Sequence, residues 1–477
     1  MLKVYNTLTR QKQEFKPLKA GEVSIYCCGV TPYNDPHIGN ARPFVTWDVI
    51  RRYFAQHGLK VRYIQNFTDV DDKIIAAAGR ENLTWKDISD RYIKSYFESM
   101  DALNVRHADL YPRVSETMAD IIAMVQTLID KGYAYALPNG DVFYSVEKFT
   151  GYGKLSGRKL EDMQAGARID VDERKHHPMD FALWKSAKPG EPSWESPWGQ
   201  GRPGWHIECS TMSLKYLGEK FDFHGGGSDL IFPHHENEIA QSQACLGDDA
   251  GFAQYWLHNG FITIHEEKMS KSKGNFFTVK EILAKYPGEV VRFFILQTHY
   301  RSPLDFSEER LAEAQTSLSR LQNTQGYIKE LSAKADGGGE TAAPLAARAK
   351  ELWRLFDEAM EDDFNTALAI SQMFALSKEI NIYYQQVTSG EAAFDAGNFS
   401  QAAKAWADMA AIIGLFEQDE AGADDGLTDK LMQLIISIRQ DARQAKNWAV
   451  ADKIRDELKE AGVVLEDTPN GVRWKRA

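Results

Sequence analysis

A chain of 477 residues with 43% hydrophobic content is long enough for two to four domains, each with its own core. Its formal net charge of −12 excludes indiscriminate binding along phosphate backbones, which takes a dense cationic surface, although a local basic face is still allowed. No apolar run approaches the ~18–20 residues that span a bilayer and MLKVYNTLTR has no apolar leader, so a cytoplasmic location without membrane attachment is expected; Cys27, Cys28, Cys209 and Cys245 are too few for a disulfide framework, and none forms a C-x-x-C pair.

Taken in chain order, EVSIYCCGV at 22–30 is apolar and partly β-branched, and it runs into the Pro/Gly/Asn-rich loop TPYNDPHIGN. A helical pattern follows from about Pro43 to His57, then a second strand, VRYIQNF, at 61–67. Strand, helix and strand make a β-α-β unit of a Rossmann-type doubly wound parallel sheet, whose ligands bind at the carboxyl ends of the strands. From roughly 115 to 200 the pattern mixes short helices, strands and turns, which reads as an insertion that helps enclose a substrate. FHGGGSDLIFPHHENEIAQSQ at 223–243 reads as strand end, glycine turn and helix, and FITIHEEKMSKSKGNFF at 261–277 as strand and exposed loop. Thr278 and Glu281 form a capping box opening the next helix.

The α/β catalytic domain is thus expected over 1–304. An α-helical bundle follows over 305–414, with a flexible segment, ADGGGETAAP, near 335–344. The stretch 415–430 is an acidic linker: LFEQDEAGADDGLTD carries six acids and no base. The last 47 residues invert that balance, with nine Lys/Arg against seven Asp/Glu, and read as a small separate module with a helix pair followed by the Gly-turn segment TPNGVRW.

Three constellations carry chemistry. His37-Ile38-Gly39-Asn40 lies between strand and helix, where a helix N-terminus favours anions and Gly39 lets a nucleotide approach the backbone. Lys268-Met269-Ser270-Lys271-Ser272 puts two ammonium groups on a loop, the charge a departing phosphoryl group needs. Third, Cys28, Cys209, His234 and Glu238 combine thiolate, imidazole and carboxylate, a set that favours zinc over magnesium or calcium. His234 and Glu238, at i and i+4, share one helix face; His235 with Glu238, at i and i+3, is a competing pair. Adjacent strand residues face opposite ways, so only one of Cys27 and Cys28 can reach the metal.

These segments, from YCCGVTPYNDPHIGN through NFTDVDDKI, GRPGWHIECS, FHGGGSDLIFPHHENEIAQS and KMSKSKGNFFTV to LEDTPNGVRW, resemble cysteinyl-tRNA synthetases, a class I aminoacyl-tRNA synthetase family, over nearly the whole chain. The resemblance implies an ATP-dependent ligase that forms cysteinyl-adenylate from L-cysteine and transfers the cysteinyl group to the terminal adenosine of tRNA(Cys), releasing AMP and diphosphate. It implies one zinc ion per subunit, held by Cys28, Cys209, His234 and Glu238, with Mg2+ accompanying ATP, and a monomer. By the same resemblance Gly29, Thr68, Trp205, His224 and Asp229 bind the amino acid, with Thr68 and Asp229 at its amino end and Trp205 and His224 walling the thiol pocket. His37, Gly39, Asn40 and Lys271 serve ATP, Lys268 assists, and Arg443, Trp448, Asp467 and Trp474 meet the anticodon. Asn40 stands where the family motif usually ends in a second histidine; its amide can donate to a phosphate oxygen but never becomes cationic.

Cysteine and serine differ by one atom, which a shape-based pocket separates by only about 1–3 kcal/mol, or ~10 to 200-fold. Soft sulfur, deprotonated on coordination, is a far better zinc ligand than a hydroxyl, so the metal is the expected source of discrimination. Two other readings compete. Ligases that join cysteine to an amino-sugar inositol share the core, the zinc pattern and the adenylation step but lack an anticodon module, and a non-catalytic RNA-binding paralogue would not be expected to keep intact motifs.

Overall fold

The computed structural model describes residues 1–160, 173–247, 251–264, 267–268, 276–333, 344–417, 427–468 and 471–476, of which 267–268, 427–430, 466–468, 471, 473 and 475–476 are described by backbone alone. All of the expected segment at 335–344 but Pro344, and most of the acidic linker, lie outside the described residues, as do Lys271 and the side chains of Lys268 and Asp467. Two compact units emerge. The first comprises Met1–Arg320, Leu352–Phe374 and Asp408–Leu415; the second comprises Leu321–Glu351, Ala375–Ala407 and Phe416–Ala477.

The first unit is built on four parallel strands: β1 (Glu22–Val30), β2 (Lys60–Phe67), β3 (Phe221–Gly227) and β4 (Ala253–Asn259). Their order across the sheet is β4-β3-β1-β2. The chain steps from β1 to one side for β2 and returns to the other side for β3, so strand order reverses at β1, where a doubly wound sheet opens its ligand crevice. Near-continuous apolar character suits strands covered on both faces: Val23, Ile25, Tyr26, Phe221 and Phe223 are all fully buried.

Helix α1 (Ile38–Gln56) links β1 to β2 and starts five residues earlier than Pro43 suggested. A proline suits a first helical turn, yet Pro43 sits inside the helix. The true entry is His37, in extended conformation, whose backbone N–H donates to the Asn40 side-chain oxygen at 3.2 Å.

Between β2 and β3 lie helices and an antiparallel sheet of Ala134–Ala136, Val142–Tyr144, Phe181–Ser186 and Gly201–Pro203, paired in that order. This sheet delivers the chain into α2 (Trp205–Leu217). After β3 the chain makes a turn at Ser228–Leu230 and a wide turn at Ile231–His235 before α3 (Glu236–Leu246). His234 therefore precedes α3 instead of sharing its face with Glu238. The capping box forms as expected: Thr278 N–H donates to Glu281 at 2.8 Å, and Glu281 N–H donates back to the Thr278 hydroxyl at 3.1 Å.

A buried ion cluster ties this unit together. Asp48 on α1 accepts from Arg52 Nε and from an Arg292 Nη, each at 2.6 Å, and all three side chains are at most 1% exposed. Arg292 also donates to the carbonyls of Leu103, Asn104 and Ile413. Burial works against a charged Asp48, but Arg292 and Arg52 outweigh it and hold the carboxyl below its ordinary value.

Helices occupy Glu308–Ser332, Pro344–Glu361, Thr366–Ser389 and Ala396–Ile413. In the second unit Trp406 stacks on Phe416 and donates its indole N–H to Gln325 at 2.7 Å. Helices Leu427–Gln444 and Trp448–Glu460 follow, then a hairpin of Val463–Thr468 and Gly471–Arg476. The terminal segment expected only as a glycine turn is thus a two-stranded ribbon, with Leu465 opposite Trp474.

Candidate metal centre and adenylation cavity

The carboxyl ends of β1, β3 and β4 open into a cavity of about 370 Å³, lined by Cys28, Gly29, Gly227 and Asn259 among others. Gly29 is where β1 and β2 come closest: a Cβ there would fall inside the Asn66 carbonyl oxygen. The cavity gathers seven of the residues expected from sequence, Cys28, Gly29, His37, Gly39, Asn40, Trp205 and Asp229. Thr68 and His224 are not among the described residues lining it. Thr68 is buried, with its hydroxyl donating to Glu208 at 3.0 Å. His224 lies behind Glu238, bonded to its carboxylate at 2.8 Å and stacked on Trp256.

The two sequence signatures are physically joined. Ile38 N–H donates to the Phe277 carbonyl at 3.2 Å and Val279 N–H to the Pro36 carbonyl at 2.8 Å, so the far end of the lysine loop is stitched to the H-I-G-N loop. The near end is held by a residue that sequence reasoning missed. Arg42, one helical turn past His37 and 1% exposed, donates to the carbonyls of Gly260, Phe261, His299 and Ser302. Burial lowers its pKa to about 10, still far above neutrality. Nothing in the sequence separates this arginine from an exposed helical one.

Around Cys28, which lines the cavity, four potential ligands converge from four elements: Cys28 at the end of β1, Cys209 on α2, His234 in the turn and Glu238 on α3. All are between 0% and 6% exposed. Cys28 Sγ lies 3.6 Å from Cys209 Sγ and 3.4 Å from Glu238 Oε1, and His234 Nε2 lies 3.0 Å from the same oxygen. Four tetrahedral ligands at ~2.0–2.3 Å from zinc stand about 3.3–3.8 Å apart, so the spacing and the two soft sulfurs both fit that ion. Cys27, next in the chain, is absent from the cluster, and burial pushes its thiol up to about 12.

The charge balance also invites a cation. The hydrogen bond from Cys28 draws the Cys209 thiol down to about 6. Burial, with the charge of Cys209, pushes the Cys28 thiol well up. Burial disfavours an ionised Glu238, yet His224 and His234 outweigh it and hold the carboxyl well below its ordinary range. Burial likewise opposes a charged His234, but Glu238 and Cys209 keep the ring protonated up to about 10. A divalent ion would replace those protons with a single central charge.

An overlapping quartet consists of Cys28, His224, His235 and Glu238. His235 Nε2 is 3.3 Å from Cys28 Sγ, and its Nδ1 is 2.7 Å from His258, which continues to Thr7 at 2.8 Å. Burial keeps His235 and His258 neutral, the latter down to about pH 3. This quartet has one sulfur instead of two. His206, another residue unforeseen from sequence, sits with its Nδ1 2.9 Å from His234 Nδ1, which leaves His234 Nε2 for the cluster.

Three family models match the chain: "tRNA synthetases class I (C) catalytic domain" over residues 14–316, "DALR domain" over 355–417 and "Cysteinyl-tRNA ligase anticodon binding domain" over 425–474. Curated relatives include a cysteine–tRNA ligase of Heliobacterium modesticaldum, 55% identical over 484 residues and covering 100% of both chains. Another, from Thermococcus onnurineus, is 50% identical over 478 residues and covers 100% of this chain and 99% of its own. Among solved structures, Mycobacterium tuberculosis methionyl-tRNA synthetase in complex with methionyl-adenylate aligns with a TM-score of 0.60 at 14% identity, covering 82% of this chain and 89% of that one. The Agrobacterium radiobacter K84 LeuRS in its ternary complex with tRNA and LeuAMS gives 0.60 at 11% identity, covering 86% of each. At such identities the structural likeness speaks for the fold, which is that of class I synthetases.

Proposed function

The chain belongs to the cysteine–tRNA ligase family and so activates L-cysteine with ATP and charges tRNA(Cys) with it; we propose that zinc held by Cys28, Cys209, His234 and Glu238 selects cysteine over serine. The observation that carries this reading is the convergence of four buried donors, two of them sulfur, with Cys28 among them lining the cavity that also holds the H-I-G-N loop. Zinc there would supply a preference for soft thiolate over hydroxyl. The match of an anticodon-binding domain makes tRNA the acceptor and leaves the amino-sugar alternative without support.

This chain's residues do the rest. Trp205, with its ring 4.3 Å from that of His234, walls the thiol end of the cavity, and His224 orients Glu238 from behind. Asp229 offers a carboxylate for the substrate ammonium. Thr68 would reach the same group only by rotating its hydroxyl off Glu208. His37 and the amide of Asn40 face ATP phosphates beside Gly39; Asn40 spends its oxygen on capping α1, so its amide N–H is what it has to give. Lys268 and Lys271 stabilise departing pyrophosphate, with Mg2+ accompanying ATP. Lys271→Ala is expected to slow cysteine-dependent pyrophosphate exchange at least about tenfold, the loss of one charge-assisted contact of ~1.5–3 kcal/mol. An unchanged exchange rate would remove the residue from that role.

Anticodon recognition falls to Arg443, Trp448, Asp467 and Trp474 in the region 431–477, beyond the helical region 305–414 and the catalytic region 1–304. Trp448 is 57% exposed, and Leu431, Leu434 and Ile438 on the preceding helix are 50%, 56% and 46% exposed, apolar surface of the kind on which bases stack. One zinc per subunit and a monomer complete the reading. No described helix is long and apolar enough to cross a membrane, which suits work in the cytoplasm. The deciding experiment is aminoacylation of purified tRNA(Cys), with zinc content and serine activation measured on the same preparation. Charging of a different tRNA, or serine activated as well as cysteine by zinc-loaded protein, would overturn the reading.

A further inference from the structure

In a chain of net charge −12, exposed cations usually stand among acids. One place in the first unit departs from this. The loop TGYGKLSGRKL at 150–160 and residues Leu8–Arg10 line an open concavity of about 660 Å³ to which, among the described residues, four cations and no acid contribute. Arg10, Lys154, Arg158 and Lys159 are all exposed, and among the described residues none has an acidic partner. The arginine guanidinium of Arg10 rests directly on Gly157, where a Cβ would displace it.

The loop is fastened to the segment that carries the metal ligands. Ser156 and Leu155 donate their backbone N–H groups to the Glu236 carboxylate at 2.7 and 3.4 Å, and the Tyr152 hydroxyl donates to Asn237 at 2.6 Å. Glu236 and Asn237 lie between His234 and Glu238. The Arg158 guanidinium sits 5.1 Å from the ring centre of Phe232, two residues beyond Leu230, which lines the cysteine cavity. The cationic concavity is therefore fastened to the segment that runs from the metal ligands to the cavity lining.

We infer that Arg10, Lys154, Arg158 and Lys159 hold backbone phosphates of the 3′-terminal single strand of tRNA as its last nucleotide enters the cavity. The ATP phosphates have their own place beside His37, at the H-I-G-N loop, whereas cations spread around an open concavity suit an extended polyanion. A planar guanidinium over an aromatic ring also gives the stacking surface on which single-stranded nucleotides settle. The inference rests on the cavity being the site of adenylate formation.

The test is the triple variant Lys154→Ala/Arg158→Ala/Lys159→Ala of the full-length enzyme. Cysteine-dependent pyrophosphate exchange is expected to stay within about twofold, and the KM for tRNA(Cys) to rise at least about tenfold. The salt dependence of kcat/KM for charging should lose a slope of about 2, since each single-strand phosphate contact contributes ~0.7. An acceptor-stem minihelix should show the same defect. An unchanged KM and salt slope, a defect confined to full-length tRNA, or a parallel loss of exchange would each overturn the inference. A wild-type enzyme with no cysteine-dependent exchange would instead sink the cavity assignment on which it rests.

Discussion

Cys209→Ala is expected to release the metal and to lower cysteine-dependent pyrophosphate exchange about a thousand-fold or more, equivalent to at least ~4 kcal/mol of lost transition-state stabilisation. The reason is geometric. Cys209 comes from α2, while the other three donors come from β1, the turn and α3, and it alone contributes the second sulfur, 3.6 Å from that of Cys28. Without it, Cys28, His234 and Glu238 stay buried and close together but offer a single soft donor, and mixed ligation by one thiolate is weaker for zinc. Metal analysis of the purified variant, beside exchange with cysteine and with serine, reads this directly. His235→Ala decides between the overlapping quartets. It should leave zinc stoichiometry near one, because the two-sulfur quartet does not include His235. Retention of zinc by Cys209→Ala together with its loss from His235→Ala would move the centre to Cys28, His224, His235 and Glu238.

The second large effect concerns stability. Asp48→Ala is expected to cost about 3–5 kcal/mol, because it leaves two fully buried guanidiniums, Arg52 and Arg292, facing one another without an anion. Asp48→Asn should cost nearly as much, since the amide keeps the volume and loses the charge. A fall of about 10 °C in the first thermal unfolding midpoint is the expected reading, and a shift under about 2 °C would show that the arginines find water or other acceptors. The pH dependence has a definite sign. Asp48 has a folded pKa below its unfolded value of ~3.9, so its stabilisation is fully present above that value and is lost as pH falls through the depressed folded pKa. Wild type and Asp48→Ala should therefore converge in stability only in strong acid.

Much of the catalytic layout was legible because it is written in short-range chemistry. The apolar run at 22–30, the glycine and proline loop after it and the second strand at 61–67 gave the β-α-β unit, and observed strand ends differ by at most one residue. The helix start was misjudged because Pro43 fits a first turn as well as an interior, and only the Asn40 cap identifies the entry. The four-stranded insertion sheet escaped because its strands are three to six residues long, too short to show a period. Charged residues were the hardest to place. Asp48, Arg52 and Arg292 look like solvent-facing helix positions, and their burial depends on partners more than 200 residues apart in sequence. Likewise His206, His235 and His258 gain meaning only when β4, α2 and the turn before α3 meet. The four candidate metal ligands are legible by residue type, and the structure brings them together; what packs around them is not.

The adjacent cysteines leave one ambiguity that the fold resolves without using either. If β1 slid by one residue along β2, Cys27 would take the place of Cys28, and the same thiol chemistry would be on offer. That shift would also carry Cys28 to the spot now held by Gly29, where the Asn66 carbonyl leaves no space for any side chain. A residue with no ligand atom of its own thus sets the reading frame of the site, fixing which of two identical letters the metal reads.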